Sequence, residues 1–325
     1  MSVSAVILAA GKGTRMKSSI VKVAHQICDK PIINYVLDAA QAIGVANTYI
    51  VVGHQADRIK AITADYNATY AAQSDQLGTG HAVMQVIDQL KQDSNEDVVI
   101  LAGDCPLISP ETLHALIAQH RDKRAAISVL TTEMAAPGAY GRIIRETSGQ
   151  LLGIREAKDC TPQQLAINEV NTGVYCINKV ALLSALDRID NQNNQNEYYL
   201  TDVVGILHQD GAILGDYCTP NSDEAIGVNT RQQLAEITKI VYRQVADHWM
   251  NNGVSFDDPE TAFIDKSVTI GQDVHIGPFT CLKGATAVGD GVSIGAYSYL
   301  ENASVASGES VPARAHLIGQ RECVQ

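Results

Sequence analysis

Residues 8–22 read LAAGKGTRMKSSIVK and directly follow the apolar run AVI. The run predicts a β-strand, and Gly11 and Gly13 in the turn behind it lack the β-carbons that keep backbone N–H groups away from phosphate oxygens. Arg15 and Lys22 add positive charge at the same place. The stretch predicts a strand and turn that hold a polyphosphate. An ordinary tight turn with two solvated cations is the alternative.

Two widespread phosphate-binding loops do not match this stretch. The P-loop requires GxxxxGK[ST], and the dinucleotide loop requires a third glycine where this chain has Met16. The pattern LxxGxGTRM followed by a lysine instead resembles the signature of the sugar-1-phosphate nucleotidyltransferases.

Composition limits the possible functions. The 325 residues predict about two domains, and an apolar fraction of 46% is typical of a folded globular protein. The net charge of −12 argues against non-specific binding to nucleic acid or to anionic membranes. We therefore expect neither a nucleic-acid nor a membrane partner.

The cysteines and the N-terminus predict a cytoplasmic protein. The seven cysteines are scattered and never form C-x-x-C, which favours reduced thiols over a zinc site or a disulfide framework. The N-terminal apolar run is short and has no basic residues before it, so we interpret it as a strand and not as a signal peptide. No stretch approaches the length of a membrane span.

Residues 1–229 alternate short β-rich runs with amphipathic segments. This alternation predicts an α/β domain, Rossmann-like, with a mostly parallel sheet. Helices are expected near 80–91 and 198–209, among others, and Ser109 is expected to cap a helix that begins at Pro110. Two short strands between Gly138 and Asp159 are expected to cover an active site.

Residues 230–252 predict one connecting helix, because apolar residues recur there at three- and four-residue steps. From Gly253 the period changes to six, and residues 253–325 predict a short left-handed parallel β-helix followed by a polar tail. The apolar positions of the hexads are Ile264, Ile270, Ile276, Leu282, Val288, Ile294 and Leu300. Small or β-branched residues stand four positions after each, from Val268 to Ser304. The repeat decays at Ala306, which predicts little more than two coils.

Two further motifs lie in the first domain. The loop 73–82 reads QSDQLGTGHA, and glutamine amides can both donate to and accept from the edge of a pyrimidine. Asp104 follows the apolar run VVILAG, and an aspartate at the carboxyl end of a parallel strand is well placed to hold a divalent cation. Turn formation or capping is the alternative for each motif.

Together these motifs resemble one family. LAAGKGTRM, QLGTGHA, GDCPLI, YGRI, NEVNTG, NEYYLTD and GVNTR occur in the order found in the uridyltransferase half of the bifunctional enzymes that make UDP-N-acetylglucosamine, a cell-wall precursor. The resemblance spans residues 3–310, and QLGTGHA and NEYYLTD are its most specific parts.

The resemblance implies a role for each matched residue. It implies catalytic roles for Arg15, Lys22 and Asp104, and a magnesium site at Asp104 and Asn229. The implied nucleotide-binding residues are Leu8, Ala9, Ala10, Gly11, Gly13, Gln73, Gln76, Gly78 and Thr79. The implied sugar-binding residues are Gly141, Glu156, Asn171 and Tyr199.

The implied reaction is uridylyl transfer from UTP to N-acetylglucosamine-1-phosphate, with Mg²⁺ as cofactor and pyrophosphate as the second product. Two alternatives stay open: a different sugar-1-phosphate, such as a glucose or galactosamine type, and a non-catalytic assembly or regulatory subunit. The four polar residues Arg15, Lys22, Asp104 and Asn229 argue against the second alternative.

Two features depart from the family. The residue before Lys22 is Val21 where the family commonly has proline, which predicts a more mobile loop. The chain also lacks the later coils that carry acetyl transfer, so we expect no acetyltransferase activity. The family's β-helix forms trimers, which implies a homotrimer here. The alternative is a monomer in which residues 306–325 fold back as a cap.

Overall fold

In a computed structural model, which describes residues 2–319, strand β1 (Val3–Ala9) is covered on both faces. Val6 packs in one apolar cluster, whereas Ala5 and Ile7 pack in another. Successive side chains of a strand point to opposite faces, so a strand buried on both sides needs helices on both faces of its sheet. The apolar run of the sequence therefore becomes the centre of a layered α/β unit.

The strands of the main sheet mostly alternate along the chain with helices, as predicted. A separate two-stranded pair consists of β2 (Gln26–Ile27) and β3 (Lys30–Pro31). The remaining strands of the main sheet are β4 (Asn47–Val52), β5 (Ala68–Ala72), β6 (Asp97–Ala102), β7 (Ile127–Glu133), β8 (Arg142–Arg145), β9 (Leu151–Arg155), β10 (Glu169–Asn178) and β11 (Leu214–Cys218). The helices are α1 (Ile32–Ala42), α2 (Ala56–Ile62), α3 (Thr79–Met84), α4 (Ile87–Gln92), α5 (Pro110–Lys123), α6 (Pro162–Leu165), α7 (Lys179–Leu186), α8 (Asp202–Gln209) and α9 (Arg231–Asn251).

The main sheet has the strand order β11-β7-β10-β6-β1-β4-β5, with β8 and β9 attached beside β10. Strand β1 is parallel to both of its neighbours, β4 and β6, and only β10 runs antiparallel within the main order. The expected mostly parallel sheet is thus confirmed. The chain continues from β1 to β4 on one side and returns to β6 on the other. In open α/β sheets such a reversal leaves a crevice at the carboxyl ends of the strands.

Two predicted helices differ in detail from the structure. The segment near 80–91 is divided into α3 and α4. The segment near 198–209 becomes helical only at Asp202, because the backbone of Tyr198 is already paired with the loop before α3: its N–H donates to the Leu77 carbonyl at 2.7 Å, and its carbonyl accepts from the Gly80 N–H at 2.8 Å. The predicted cap of α5 is confirmed, since Ser109 Oγ accepts from the Thr112 N–H at 3.1 Å.

The described residues form two units. The first contains residues 2–25 and 31–230, and the second contains residues 26–30 and 231–319. Helix α9 and the hexapeptide repeats share the second unit. Its strands are β12 (Ser255–Phe256), β13 (Phe263–Ile264), β14 (Thr269–Ile270), β15 (His275–Ile276), β16 (Cys281–Lys283), β17 (Ala287–Val288), β18 (Ser293–Ile294), β19 (Tyr299–Glu301), β20 (Ser304–Val305), β21 (Ser310–Val311) and β22 (His316–Ile318).

These short strands stack into three parallel sheets, as expected of a β-helix: β12-β15-β18-β21, β13-β16-β19-β22 and β14-β17-β20. Within a sheet, paired residues are 18 apart along much of the coil, as in Phe263↔Cys281. Three hexads therefore make one turn.

The repeat continues further than the sequence predicts. Leu300 and Val305 both point inward but are five residues apart, so the strict period of six loses its phase while the pairing continues through β22. Ser304, four positions after Leu300, is exposed, whereas the residues at this position of the earlier hexads are buried, and Ala303 is buried in its place. The prediction of little more than two coils is therefore wrong. One turn of the coil is a residue shorter than the turns before it, so the regular spacing ends there although the coil continues. Residues 306–318 continue the coil and do not fold back as a cap.

Among the described residues, no helix has the length and apolar character to cross a membrane. Each of the six cysteines in residues 2–319 is a free thiol, and Cys323 lies outside the described residues.

Candidate active site

The turn after β1 folds back on itself, so that Gly13 lies close to Lys22, nine residues further along the chain. Gly13 has a φ of 61°, and a β-carbon there would lie 2.6 Å from Cβ of Lys22. Only glycine combines this left-handed backbone with so close an approach. Lys22 itself begins a short 3-10 helix, and the N–H of Val21 donates to Gln55 Oε1 at 3.1 Å. The residue that replaces the family's proline is therefore held by a hydrogen bond.

Four side chains meet at the carboxyl ends of β1 and β6. The Lys22 ammonium donates to Asp104 Oδ2 and, at 2.9 Å, to Asn229 Oδ1. Arg15 Nη2 donates to the same Asn229 oxygen at 2.9 Å. The Asp104 carbonyl accepts from the Val228 N–H at 2.9 Å, which fixes the segment that carries Asn229 beside the end of β6. We call Arg15, Lys22, Asp104 and Asn229 the phosphate-end cluster.

A cavity of about 310 Å³ opens next to this cluster. Eight of the nine predicted nucleotide-binding residues line it, together with Lys22 and Asp104: Leu8, Ala9, Ala10, Gly11, Gln73, Gln76, Gly78 and Thr79. Gly13 does not line the cavity, and its place is the close approach to Lys22 described above. Arg15 and Asn229 also lie outside its lining and join the site through their hydrogen bonds.

The two glutamines of the loop before α3 are not equivalent. Gln73 is buried, and its amide nitrogen donates to the Gly78 carbonyl at 3.1 Å and lies 3.0 Å from His81 Nδ1. Gln76 uses its amide nitrogen once, toward the Gln73 carbonyl at 3.2 Å. Because an amide nitrogen has two hydrogens, Gln76 retains one N–H and its oxygen for a ligand, whereas Gln73 retains only its oxygen.

The predicted sugar-binding residues lie in two places. Glu156 and Tyr199 line a second cavity of about 490 Å³ in the same unit, whereas Gly141 and Asn171 do not. Gly141 connects them, because its carbonyl accepts from the Asn171 N–H at 2.9 Å and a β-carbon on it would lie 3.6 Å from Glu156 Oε2. Tyr199 is farther along this cavity wall, where its hydroxyl contacts Gln195 and Asp159.

The second cavity is acidic. Burial raises the pKa of Glu156, and the nearby carboxylates of Asp202, Asp159 and Glu197 raise it further, while a hydrogen bond from Thr201 opposes the shift. Burial, with Asp190 and Asp159 nearby, raises the pKa of Asp202 to about 6. Arg155 and Arg188 also line this cavity, so its carboxyl groups, which include Asp159 and Asp190, outnumber the cations without excluding them. Carboxyl groups in such surroundings can form hydrogen bonds with neutral hydroxyl groups.

Several lining residues escaped the sequence prediction. Glu197 lines the cavity of about 310 Å³ beside the phosphate-end cluster, and Thr201 and Asp202 line the acidic cavity. All three lie in the block NEYYLTD, in which the family resemblance implies a role only for Tyr199. The signal was the block itself, but side-chain direction within it depends on the pairing of Tyr198 with the loop at Leu77.

A divalent cation is compatible with the phosphate-end cluster. A carboxylate oxygen of Asp104 and an amide oxygen of Asn229 converge on one position, which the Lys22 ammonium occupies. Both are oxygen ligands of the kind that Mg²⁺ prefers. Within residues 2–319 no three His, Cys, Asp or Glu side chains form a metal cage. Mg²⁺ commonly takes one or two protein ligands together with substrate phosphates, so two oxygens suffice.

Comparisons with known proteins agree with the two units. Residues 5–191 match the MobA-like NTP transferase domain, and residues 267–302 match the six-repeat bacterial transferase hexapeptide. The chain is 42% identical over 302 residues to the bifunctional protein GlmU of Latilactobacillus sakei, and 40% identical over 321 residues to that of Desulfitobacterium hafniense. These alignments cover 93% and 99% of this chain. They span only 65% and 69% of the relatives.

Proposed function

Because the chain belongs to the GlmU family and contains its NTP transferase domain, we propose that it transfers a uridylyl group from UTP to N-acetylglucosamine-1-phosphate. The products are UDP-N-acetylglucosamine and pyrophosphate. The single observation that carries the proposal is the phosphate-end cluster, in which Lys22 and Arg15 meet Asp104 and Asn229 beside the nucleotide cavity.

The reaction needs no covalent enzyme intermediate. A phosphate oxygen of the sugar-1-phosphate attacks the α-phosphorus of UTP, a new P–O bond forms, and the bond between the α-phosphorus and the bridging oxygen breaks. The electron pair of that bond leaves with pyrophosphate. Two anions must approach each other, so the protein has to position them and neutralise their charge. Arg15 and Lys22 supply fixed positive charge at the triphosphate.

We propose Asp104 and Asn229 as the protein ligands of a catalytic Mg²⁺. The ion would offset negative charge on the phosphates during transfer. Lys22 uses the same two oxygens, so the ammonium and the ion compete for them, and Lys22 is then available to the triphosphate.

The two cavities suit the two halves of the product. The nucleotide cavity has the glutamine loop for the base and the glycine turn for the phosphates. At the other side, Gly141, Glu156 and Asn171 would contact the sugar, and Tyr199 would close the acidic cavity behind them. A neutral polyhydroxyl ring suits acceptors such as Glu156.

A pyrophosphate-release assay tests this proposal. The protein is given UTP, CTP, ATP or GTP in turn, with N-acetylglucosamine-1-phosphate, glucose-1-phosphate or galactosamine-1-phosphate, with and without MgCl₂. We expect release with UTP and the N-acetylated sugar in the presence of Mg²⁺. Release with glucose-1-phosphate and a nucleotide, but not with the N-acetylated sugar, would favour the alternative sugar. No release with any pair would favour the non-catalytic alternative.

We also propose that the hexapeptide unit associates into a homotrimer. Phe279 and Tyr297 are 47% and 58% exposed and stack at 5.0 Å on successive coils, so they offer an apolar column to a second copy. Light scattering at several concentrations tests this, because a mass of one chain at all concentrations would contradict it. A cytoplasmic location and the lack of acetyl transfer stay predictions.

A further inference from the structure

Strand β10 is irregular at the point where it passes the sugar-binding residues. Its pairing with β7 shifts register between Asn171 and Tyr175, and Gly173 in the middle has a φ of 80°. A β-carbon on Gly173 would meet nothing closer than 3.9 Å, so glycine is needed there for its backbone conformation and not for space. The irregularity is a β-bulge, a feature that redirects side chains.

The bulge brings two side chains into contact that a regular strand would separate. Residues four apart along a strand have Cα atoms about 13 Å apart. Here the Asn171 amide nitrogen donates to the Tyr175 hydroxyl at 2.7 Å, and the Asn171 amide oxygen accepts from the Gly173 N–H at 3.1 Å. Since a backbone N–H can only donate, it fixes which end of the Asn171 amide carries the oxygen.

The Asn171 amide is therefore held at both ends and still has binding capacity. The contact with Tyr175 uses one of its two amide hydrogens, and the contact with Gly173 uses one of the two lone pairs of its oxygen. One N–H and one oxygen lone pair remain, which is the complement of an acetamido group with its own carbonyl and N–H. A single hydroxyl group has its donor and its acceptors on one oxygen, so it does not present the separate carbonyl and N–H of an acetamido group.

Tyr175 is well suited to hold this amide. It is 2% exposed, on a strand whose neighbouring residues Val174 and Cys176 are also buried. Burial raises the pKa of Tyr175, and the nearby Glu156 carboxylate raises it further, so its hydroxyl stays protonated. A neutral, immobile hydroxyl gives the Asn171 nitrogen one constant acceptor. Glu156 is fixed in turn by Thr201, whose hydroxyl donates to Glu156 Oε1 at 3.2 Å.

We propose that Tyr175 is a positioning residue that holds the Asn171 amide in the orientation that recognises the 2-acetamido group of the sugar-1-phosphate. The proposal rests on the proposed function, because it needs Asn171 to face the sugar. Tyr175 acts through Asn171 and does not touch the reacting atoms. It sets the preference for an N-acetylated over a non-acetylated sugar.

The test is Tyr175→Phe, which removes the hydroxyl and keeps the ring. Loss of one orienting hydrogen bond is expected to raise KM for N-acetylglucosamine-1-phosphate about three- to tenfold. We expect little change in kcat and little change in KM for glucose-1-phosphate, so the preference between the two sugars falls. Tyr49→Phe is the matched control, because Tyr49 is a buried tyrosine whose hydroxyl donates to Asp93 at 2.9 Å.

A double-mutant cycle separates positioning from mere packing. In an Asn171→Ala background, Tyr175→Phe should leave the sugar preference unchanged, because the amide it holds is gone. The proposal would be overturned if Tyr175→Phe raised KM equally for both sugars. It would also be overturned if Tyr175→Phe lowered the sugar preference by the same factor in the Asn171→Ala background. Calorimetric binding of UDP-N-acetylglucosamine and UDP-glucose gives the same comparison if a variant no longer turns over. If the unmodified protein uses no sugar-1-phosphate, the proposed function is wrong and this inference is overturned with it, whereas a sugar preference that Tyr175→Phe leaves unchanged in an active protein overturns this inference alone.

Discussion

The two ends of the candidate site use opposite electrostatics. In the phosphate-end cluster, two cations and two oxygen side chains share hydrogen bonds around one point. We call the other end the sugar end; it consists of Glu156, Asn171, Tyr175, Thr201 and Asp202. There the neutral Tyr175 hydroxyl holds the Asn171 amide, and the Thr201 hydroxyl donates to Glu156. The pKa values of the Glu156 and Asp202 carboxyl groups are raised.

This contrast predicts how strongly each substitution should affect turnover or the choice of substrate. Charge on a transferring phosphate is stabilised most strongly in the transition state, so the loss of a phosphate-end side chain should lower turnover with every substrate. Neutral hydrogen bonds are worth less and affect the choice of substrate.

Asp104→Asn is expected to lower kcat at least about a hundredfold, because it removes the only carboxylate of the phosphate-end cluster. Steady-state pyrophosphate release measures the effect, and chelation of divalent metal by EDTA should abolish turnover of the unmodified protein. Asp97→Asn is the control, since Asp97 begins the same strand and pairs with Arg121 at 3.2 Å. Near-normal turnover of the Asp104 variant would contradict the metal assignment.

Arg15→Ala is expected to lower kcat about a hundredfold as well, through lost stabilisation of the triphosphate and of pyrophosphate. Lys17→Ala removes an exposed cation from the same turn and should change kcat little. If the Arg15 variant stays within about threefold of the unmodified protein, Arg15 is only a surface cation and the phosphate-end cluster has one member fewer.

The residues that the structure groups at the phosphate end are easier to find from the sequence than those at the sugar end. Gly11, Arg15 and Lys22 lie in one short stretch, so local spacing carries the information. Asp104 is predictable because parallel strands end at the same edge of a sheet. Tyr175 was not predicted, since its contact with Asn171 depends on the bulge at Gly173, which no local pattern marks.

The second unit shows the same limit. The strict hexads predicted a β-helix because each repeat contacts only its neighbours. The end of the regular period predicts the end of the coil, whereas the strand pairing continues through β22. Leu300 and Val305 are five positions apart, one fewer than the regular six, and both side chains still point inward. The strand pairing continues across this shorter step, with Ala287 paired to Ser304.

Gln76→Ala is expected to reduce the preference for UTP over CTP about tenfold, because a site that pairs with a base edge rejects the edge that does not match. UTP and CTP differ in donor and acceptor at that edge. Gln73→Ala should change the preference less, since both hydrogens of its amide face the Gly78 carbonyl and His81. Competition between the two nucleotides in one reaction measures the ratio. Equal use of UTP, CTP and ATP by the unmodified protein would contradict base selection by this loop.

Asp202→Asn has the smallest expected effect and concerns stability. The pKa of Asp202 is about 6 in the folded protein, above the usual value of an unfolded aspartate, so folding favours its neutral form. The contribution of Asp202 to the free energy of unfolding of the unmodified protein should therefore fall as pH rises from about 4 to about 6.

Asparagine is neutral at every pH, so the variant should be about 1 kcal/mol more stable above pH 6, after allowance for solvent screening at a half-buried site, and this gain should vanish near pH 4. The position of Asp202 in the first turn of α8 works in the other direction, because a negative charge there interacts favourably with the helix dipole. Urea unfolding of both proteins at pH 4, 5, 6 and 7.5 measures the difference. A variant that is less stable at pH 7.5 would show that the dipole outweighs the repulsion from Asp190 and Asp159, and that the sugar end is less hostile to negative charge than its burial implies.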